Sequence, residues 1–521
     1  MANRIAGTPL FMVVLVSVAA TSASAQSFRV QCPASTITHP AALHNNNSEP
    51  AYTGPTTLAL NTATNAQYLA PSANVNGAIK CQQISGGDGF ATMGDGTQTY
   101  LFAFGPLSGL ADMAQGLPGT QFPNVFNTPY TGATPLMPGD PATTPGFTYN
   151  GAVGQVPDID AGNIIDGHVD PRPIMDIGVM NGNIPAPLMA IDEDDEFFLT
   201  LTNVGQIMRP DLFEQHTVHF HGYPNASAFY DGVPDASVAI NIGGSFTYYY
   251  LAPDAGTYFW HCHITPPEHL QMGMVGQLYV RPRQNRVPVG NGLYAALQAQ
   301  QGDLRTACSS NNDILCSNPL PASSNAVTRA STGNYAYNDG DGSTYYDVEY
   351  PLQIHGFDPN FHFVGMTFNP ENFEGMKDKY FLLNGRSYPD TVTAGPLATQ
   401  STDGVNHFSQ PLSSIINIPA GKRALLRISD LDVSEYQTLA SMGIPMQVIA
   451  LNAKLLRDQA GNNMYYNTNS ITLAGGESVD VILDATGYTA GQVFYLYTPN
   501  LDHLANDAEN FGGLMTEVRI N

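Results

Sequence analysis

Positive charge is scarce in this chain: 19 Lys and Arg stand against 44 Asp and Glu, a formal net charge of −25 over 521 residues. Binding to phosphate backbones needs clustered lysine and arginine, so nucleic acid is excluded as an expected partner. The same imbalance describes a soluble surface that repels its own copies. Long apolar runs are missing too. Past residue 25 none is long enough to span a bilayer, so no integral membrane segment is expected. The 17 methionines are dispersed, with no Met-rich segment. Cysteine is limited to five positions, Cys32, Cys81, Cys262, Cys308 and Cys316.

The first 25 residues carry the layout of an export signal: Arg4, an apolar run from Leu10 to Val16, then Ala23-Ser24-Ala25 before Gln26. A secreted or periplasmic location follows as an expectation, and in an oxidising compartment two disulfides are plausible. Cys32 with Cys81 and Cys308 with Cys316 is the pairing that keeps each bridge local, although sequence alone leaves the connectivity open.

Histidine is concentrated where cysteine is rare. Six of the thirteen histidines fall in two short segments, His216-Thr217-Val218-His219-Phe220-His221-Gly222 and His261-Cys262-His263 with His269 and Met274 following. A thiolate, imidazoles and a weak thioether are the donors of an electron-transferring copper site. Both segments read as strands: Tyr258-Phe259-Trp260 leads into His261, and Val218 and Phe220 alternate with His219 and His221. Strand side chains alternate between faces. His261 and His263 therefore share one face while Cys262 takes the other. His219 and His221 share a face, with His216 opposite. Paired strands would put Cys262 with His216 on one side, closed by His269 and Met274, and four histidines on the other. The pattern predicts two metal centres back to back.

These segments resemble the H-x-x-H-x-H-G and H-C-H-I…H…M motifs of the multicopper oxidases, the laccase-like proteins built from cupredoxin domains. The resemblance implies copper as cofactor. It implies His216, Cys262 and His269 as ligands of a type 1 copper, with Met274 axial. It implies His219 for a type 2 copper, and His221, His261 and His263 for a type 3 pair. Cys262, His261 and His263 would carry electrons between the centres. The spacing departs from the family in one place: six residues separate Cys262 from His269 where four are usual, and the insertion includes Pro266-Pro267, a feature nearer to copper nitrite reductases.

The expected fold is all-β, with two cupredoxin-like Greek-key β-sandwich domains and an N-terminal extension. The divisions are a signal peptide (1–25), an extension without clear periodicity (26–95), a copper-binding domain (96–283) with a Pro/Gly-rich insertion (106–175), a linker (284–344) and a copper-free domain (345–521). Frequent short strands between turn residues support both sandwiches. The acidic run Asp192-Glu193-Asp194-Asp195-Glu196 reads as a solvated start to the strand Phe197–Leu201. The resemblance covers most of 178–283 and 380–521, and it is specific only at the copper motifs.

The second domain has no cysteine and no H-x-H pair; His355, His362, His407 and His503 are scattered. The family's trinuclear cluster takes eight histidines from two facing domains, so four of them must come from a second subunit or be absent. A homo-oligomer related by a two-fold axis would supply them. The expected function is a secreted oxidase coupling one-electron oxidation of a small reducing substrate to dioxygen reduction. Two other readings stand: a nitrite-reductase-like copper enzyme, and a non-catalytic electron carrier or structural protein. Phenols, Fe(II) and Mn(II) all fit as reductants.

Overall fold

The computed structural model describes residues 30–36, 59–61, 66–68, 78–132, 136, 146–156, 167, 169–300 and 327–521, apart from 223–226, 253, 331–332, 368 and 401–403. The expected signal peptide and the Cys308 and Cys316 pair lie outside the described residues. The chain is mostly β and is arranged in several sheets.

Two four-stranded sheets occupy the first half. One contains β1 (Ile79–Thr92), β2 (Gln98–Pro106), β4 (Glu196–Gly205) and β6 (Ser245–Leu251) in the order β2-β1-β4-β6. The other contains β3 (Met189–Asp192), β5 (His219–Phe220), β7 (Gly256–His261) and β8 (Val275–Arg281) in the order β3-β8-β7-β5. Phe102, Phe104, Leu199, Leu201, Tyr248 and Tyr250 from the first sheet meet Ile191, Phe220, Tyr258, Trp260 and Leu278 from the second in one apolar core. Aromatic side chains suit such half-buried pleated surfaces, and each strand sends its alternate residues inward.

The second half is built the same way. One sheet holds β9 (Val348–Phe357), β10 (Tyr380–Leu383), β12 (Arg423–Asp430), β14 (Met446–Leu451) and β16 (Glu477–Asp484) in the order β10-β9-β12-β16-β14, with short strands at its edge. The other runs β11 (Ile416–Ile418), β18 (Met515–Ile520), β17 (Val493–Tyr497), β13 (Gln437–Met442) and β15 (Ser470–Leu473). Leu426, Ile428, Val448, Val481, Leu496 and Val518 lie in its separate core.

Two expectations need correction. Residues 79–92, placed in an extension without periodicity, form a strand between antiparallel β2 and parallel β4. Every residue of β1 before Thr92 is buried. A strand covered on both faces has no polar side, so the alternation that would reveal it disappears. Its outer cover comes from the insertion: Leu107, Leu110, Phe126, Val153 and Ile174 pack with Ile79 and Cys81. Cys81 is also bonded to Cys32. The acidic run is not solvated either. Glu193, Asp194, Asp195 and Glu196 are all less than 5% exposed, at 1%, 1%, 0% and 4%. Arg286 lies 2.6 Å from Asp194 and Lys80 lies 3.4 Å from Asp195, while the Arg283 backbone N–H donates to Glu193 at 2.7 Å. These partners come from segments distant in sequence, which a local reading does not see.

The halves meet along β7. Thr257 Oγ1 donates to Asp480 Oδ1 at 2.5 Å and Ser478 Oγ donates to the Thr257 carbonyl at 2.8 Å. Gln277 Nε2 donates to the Arg427 carbonyl at 3.0 Å. Glu349 bridges Arg281 (2.5 Å) and Arg427 (3.1 Å) across the same seam. The strand leading into the histidine motif is thus fixed against the second half.

Candidate metal centres

β5 and β7 pair so that His219 faces His261 and Phe220 faces Trp260. The aromatic pair enters the core and the histidine pair takes the opposite face, as strand alternation requires. One residue beyond β7, Cys262 turns back into the core with no exposure. The chain then forms the short helix α1 (Pro266–Gln271), which starts after Thr265 in a left-handed conformation (φ 36°). Prolines at its first turn sacrifice no helical hydrogen bond. Met274 N donates to the His269 carbonyl (2.9 Å) and Cys262 N to the Met274 carbonyl (3.2 Å), which folds the loop over Cys262.

His216, Cys262 and His269 form the first group, their ligand atoms all within 4.8 Å of one another. All three are 0% exposed. Paired backbone hydrogen bonds with Ile240, at 3.0 and 3.1 Å, hold His216 in place. His269 Nδ1 lies 3.2 Å from Cys262 Sγ, and the Thr217 N–H donates to the sulfur at 3.3 Å. Met274 is fully buried beside them. Gly86 on the facing sheet leaves the necessary room. A Cβ there would sit 2.7 Å from His216 Cδ2 and 3.3 Å from the Met274 methyl.

Burial opposes ionisation of Cys262, but the His269 and His216 imidazoles outweigh it and hold the thiol well below its ordinary value. Burial lowers His216. Both nitrogens of His216 lack hydrogen-bond partners although they are buried. Orphaned buried polar atoms are costly, and a metal ion coordinated by one of them would relieve that cost. The soft sulfur and two imidazoles therefore fit copper.

The second group lies on the other face of the same strand. His219, His221 and His261 bring ligand atoms within 4.8 Å of one another. The His263 ring centroid lies 5.0 Å from that of His219 and 5.6 Å from that of His261. His221 Nε2 and His261 Nε2 are 2.8 Å apart. Backbone carbonyls orient two of the rings: Asp231 O accepts from His219 Nδ1 (2.6 Å) and Cys262 O from His261 Nδ1 (2.7 Å). Burial, with nearby imidazoles, pushes His221 down to about 4; burial first, and nearby imidazoles after it, push His261 down to about 3. Both rings are therefore neutral, the form that ligates metals. His219, His221 and His263 are only half-buried, so this group opens outward.

The four other histidines named from sequence do not join either group. His355 bonds the Leu431 carbonyl, while His362 sits between the Tyr100 and Gln271 carbonyls. His503 stacks on Phe381 and bonds Gln437 and Glu435. His407 lies buried in an edge hairpin with Thr399 opposite. Sequence reading missed three contributors: Thr217, whose N–H supports the sulfur, and Glu214 and Glu268, which gather at His269. Their signal was adjacency, since each lies within two residues of a proposed ligand.

Comparison with known proteins gives the same region a context. Residues 166–285 match the family model described as Multicopper oxidase. Over 109 residues the chain is 34% identical to Laccase abr2 of Aspergillus fumigatus, spanning 20% of this chain and 17% of that protein. It is also 34% identical over 109 residues to a copper-containing nitrite reductase of Rhizobium meliloti, spanning 20% of this chain and 26% of that one. The chain thus matches about a quarter or less of these relatives' own length. The crystal structure of the Blue Copper Oxidase from Nitrosomonas europaea aligns over 84% of this chain and 85% of that chain, with TM-score 0.47 and 18% identity.

Proposed function

We propose, from the match of residues 166–285 to the multicopper oxidase family model, that the chain is a secreted, laccase-like oxidase coupling oxidation of a small reductant to dioxygen reduction. In this reading His216, Cys262, His269 and Met274 hold a type 1 copper, His219 a type 2 copper, and His221, His261 and His263 their share of a type 3 pair. The copper ions, when bound, supply one-electron chemistry and dioxygen reduction. The single observation that carries the reading is the fully buried set of Cys262, His216 and His269 with unpartnered histidine nitrogens.

The protein's own part is positioning. The Thr217 N–H and two imidazoles favour the thiolate of Cys262. The Cys262 carbonyl, bonded to His261 Nδ1 at 2.7 Å, links the two groups through one residue's backbone. Gly86 and Phe102 enclose the first group and keep water from it.

The sheet pairs fit two cupredoxin-like Greek-key domains, and the Cys32–Cys81 disulfide fits an oxidising compartment. Among the described residues no helix is long and apolar enough to cross a membrane. The four histidines of this face, three of them half-buried, are half of what the family's cluster needs, so a second copy of this chain completes it in a homo-oligomer.

Copper counting with absorption spectra tests the whole reading. The oxidase requires about four copper ions per active unit, a nitrite-reductase-like enzyme about two and a carrier about one. The Rhizobium relative keeps the second of these in view. An intense visible thiolate band without a near-ultraviolet type 3 feature rules out the oxidase.

A further inference from the structure

The second half repeats the frame of the first donor group. β17 pairs with β13 as β7 pairs with β5: Tyr497 faces Ala440 as His261 faces His219. One residue beyond each strand, Thr498 N donates to the Leu514 carbonyl (2.9 Å) as Cys262 N donates to the Met274 carbonyl (3.2 Å). Leu514 N then donates to the His503 carbonyl (3.0 Å), as Met274 N does to that of His269 (2.9 Å). Gln437 stands three residues before Ala440, where the first half has His216 three residues before His219. We infer that Gln437, Thr498, His503 and Leu514 form a latent type 1 copper site, closed in the native chain by Gln437, Thr498 and a third side chain, Ile354. This holds only if His216, Cys262, His269 and Met274 carry the type 1 copper of the first half.

The supporting side chains correspond as well. Glu435 Oε2 lies 2.9 Å from His503 Nε2, and Glu214 Oε2 lies 3.4 Å from His269 Nε2. Each glutamate stands two residues before Gln437 or His216. Phe381 stacks on His503 with ring centroids 3.7 Å apart, where Phe102 meets His269 edge-on at 5.1 Å. The strands behind these rings share one register. Gly86 of β1 faces Phe104 of β2, and Ile354 of β9 faces Leu383 of β10. Phe104 and Leu383 each follow the ring just named by two residues, so Ile354 takes the place of Gly86. In the first half even a Cβ at position 86 would press on His216 from 2.7 Å. The second half has a whole buried isoleucine side chain at that place.

Hydrogen bonding separates the open set from the closed one. His216 is buried with both ring nitrogens unpartnered. In the second half the corresponding polar atoms satisfy one another. His503 Nδ1 lies 2.9 Å from Gln437 Oε1, Gln437 Nε2 donates to Asp432 Oδ2 (2.6 Å), and Thr498 Oγ1 accepts from the Asn500 N–H (3.2 Å). Buried polar groups that already have partners gain little from a metal ion. Amide and hydroxyl oxygens are also poor substitutes for imidazole and thiolate as copper ligands. The frame itself is intact and dry: Gln437, Thr498, His503 and Leu514 are at most 3% exposed. A cavity of about 470 Å³ bordered by Glu435, His503 and Phe381, with exposed Leu501 at its edge, gives an ion an entry path.

The test is the full-chain variant Ile354→Gly/Gln437→His/Thr498→Cys, made with the first half untouched and loaded with Cu(II). Its copper content should rise by about one per chain over wild type, and its visible thiolate band should become about twice as intense. The band of the first half reports that the variant has folded. Adding Cys262→Ser to the three substitutions should leave a visible band that comes from the second half alone. Gln437→His/Thr498→Cys with Ile354 kept should take up the further copper at least about tenfold more weakly, since groups around a metal site are worth about that much in affinity. Where Ile354→Gly prevents folding, Ile354→Ala replaces it, with the same gain expected. A folded variant of either kind with unchanged copper content and band overturns the proposal, and so does equal uptake with Ile354 kept. If wild type itself shows no thiolate band, the type 1 reading fails and the latent site with it. If wild type shows the band and the folded variant adds nothing, the latent site alone fails.

Discussion

The first and second donor groups sit on opposite faces of one strand, yet they differ in completeness. His216, Cys262 and His269 are wholly enclosed by a single core, with Met274 and Gly86 closing the space around them. His219, His221, His261 and His263 line an outward face, and His221 lies against Gly476 of the second half. A single residue step along β7, from His261 to Cys262, separates the two environments. A core can finish a site only with side chains that point inward. The outward face depends on whatever docks on it.

The largest effect expected from breaking this comparison comes from Cys262→Ser. It should abolish the visible thiolate band while the four-histidine face still takes up copper, as counted by metal analysis. Loss of all copper would mean that the groups are not separable. Dilution should act in the opposite sense. If a second copy completes the outward face, oxygen uptake per chain should fall as the protein is diluted through its dissociation range, followed by sedimentation, with the visible band constant. Activity independent of assembly would remove the two-copy cluster.

Acid should also strike the seam between the halves. Burial works against the Glu349 charge, but Arg281 and Arg427 outweigh it and hold its carboxyl at about 2, below its ordinary 4.5. A folded-state value below the unfolded one contributes stability above pH 4.5 that is lost as pH falls through 2. The gap corresponds to roughly 3 kcal/mol. Denaturant unfolding across that window should show a shallower pH dependence in Glu349→Gln; parallel curves for the two proteins would refute the assignment. The smallest effect is Gly86→Ala. Its methyl would press on His216 from 2.7 Å and should cost about 1–3 kcal/mol, with a shifted visible band and unaltered copper uptake on the outward face.

Much of this was legible in advance because it was local. Period-two alternation assigned His261 and Cys262 to opposite faces, and the register of β5 with β7 agrees. The strand Gln98–Pro106 was visible as well, since Thr97–Phe104 reads in sequence as an alternation of polar and apolar residues. β1 was not, because burial on both faces erased its pattern. The acidic run misled for a related reason: Lys80, Arg283 and Arg286, its partners, arrive from far along the chain.

The sequence by itself determined the donors, their faces and the metal they suit, since residue identity and a two-residue period are local properties. Tertiary structure alone decided the rest. It enclosed His269 completely, edge-on to Phe102, and it set Glu214 beside Glu268. It also used His355 and His503 as structural hydrogen-bond partners within the second half, and His362 as one that reaches Gln271 in the first. Burial and counter-charge depend on which segments pack together, and no residue carries that information alone.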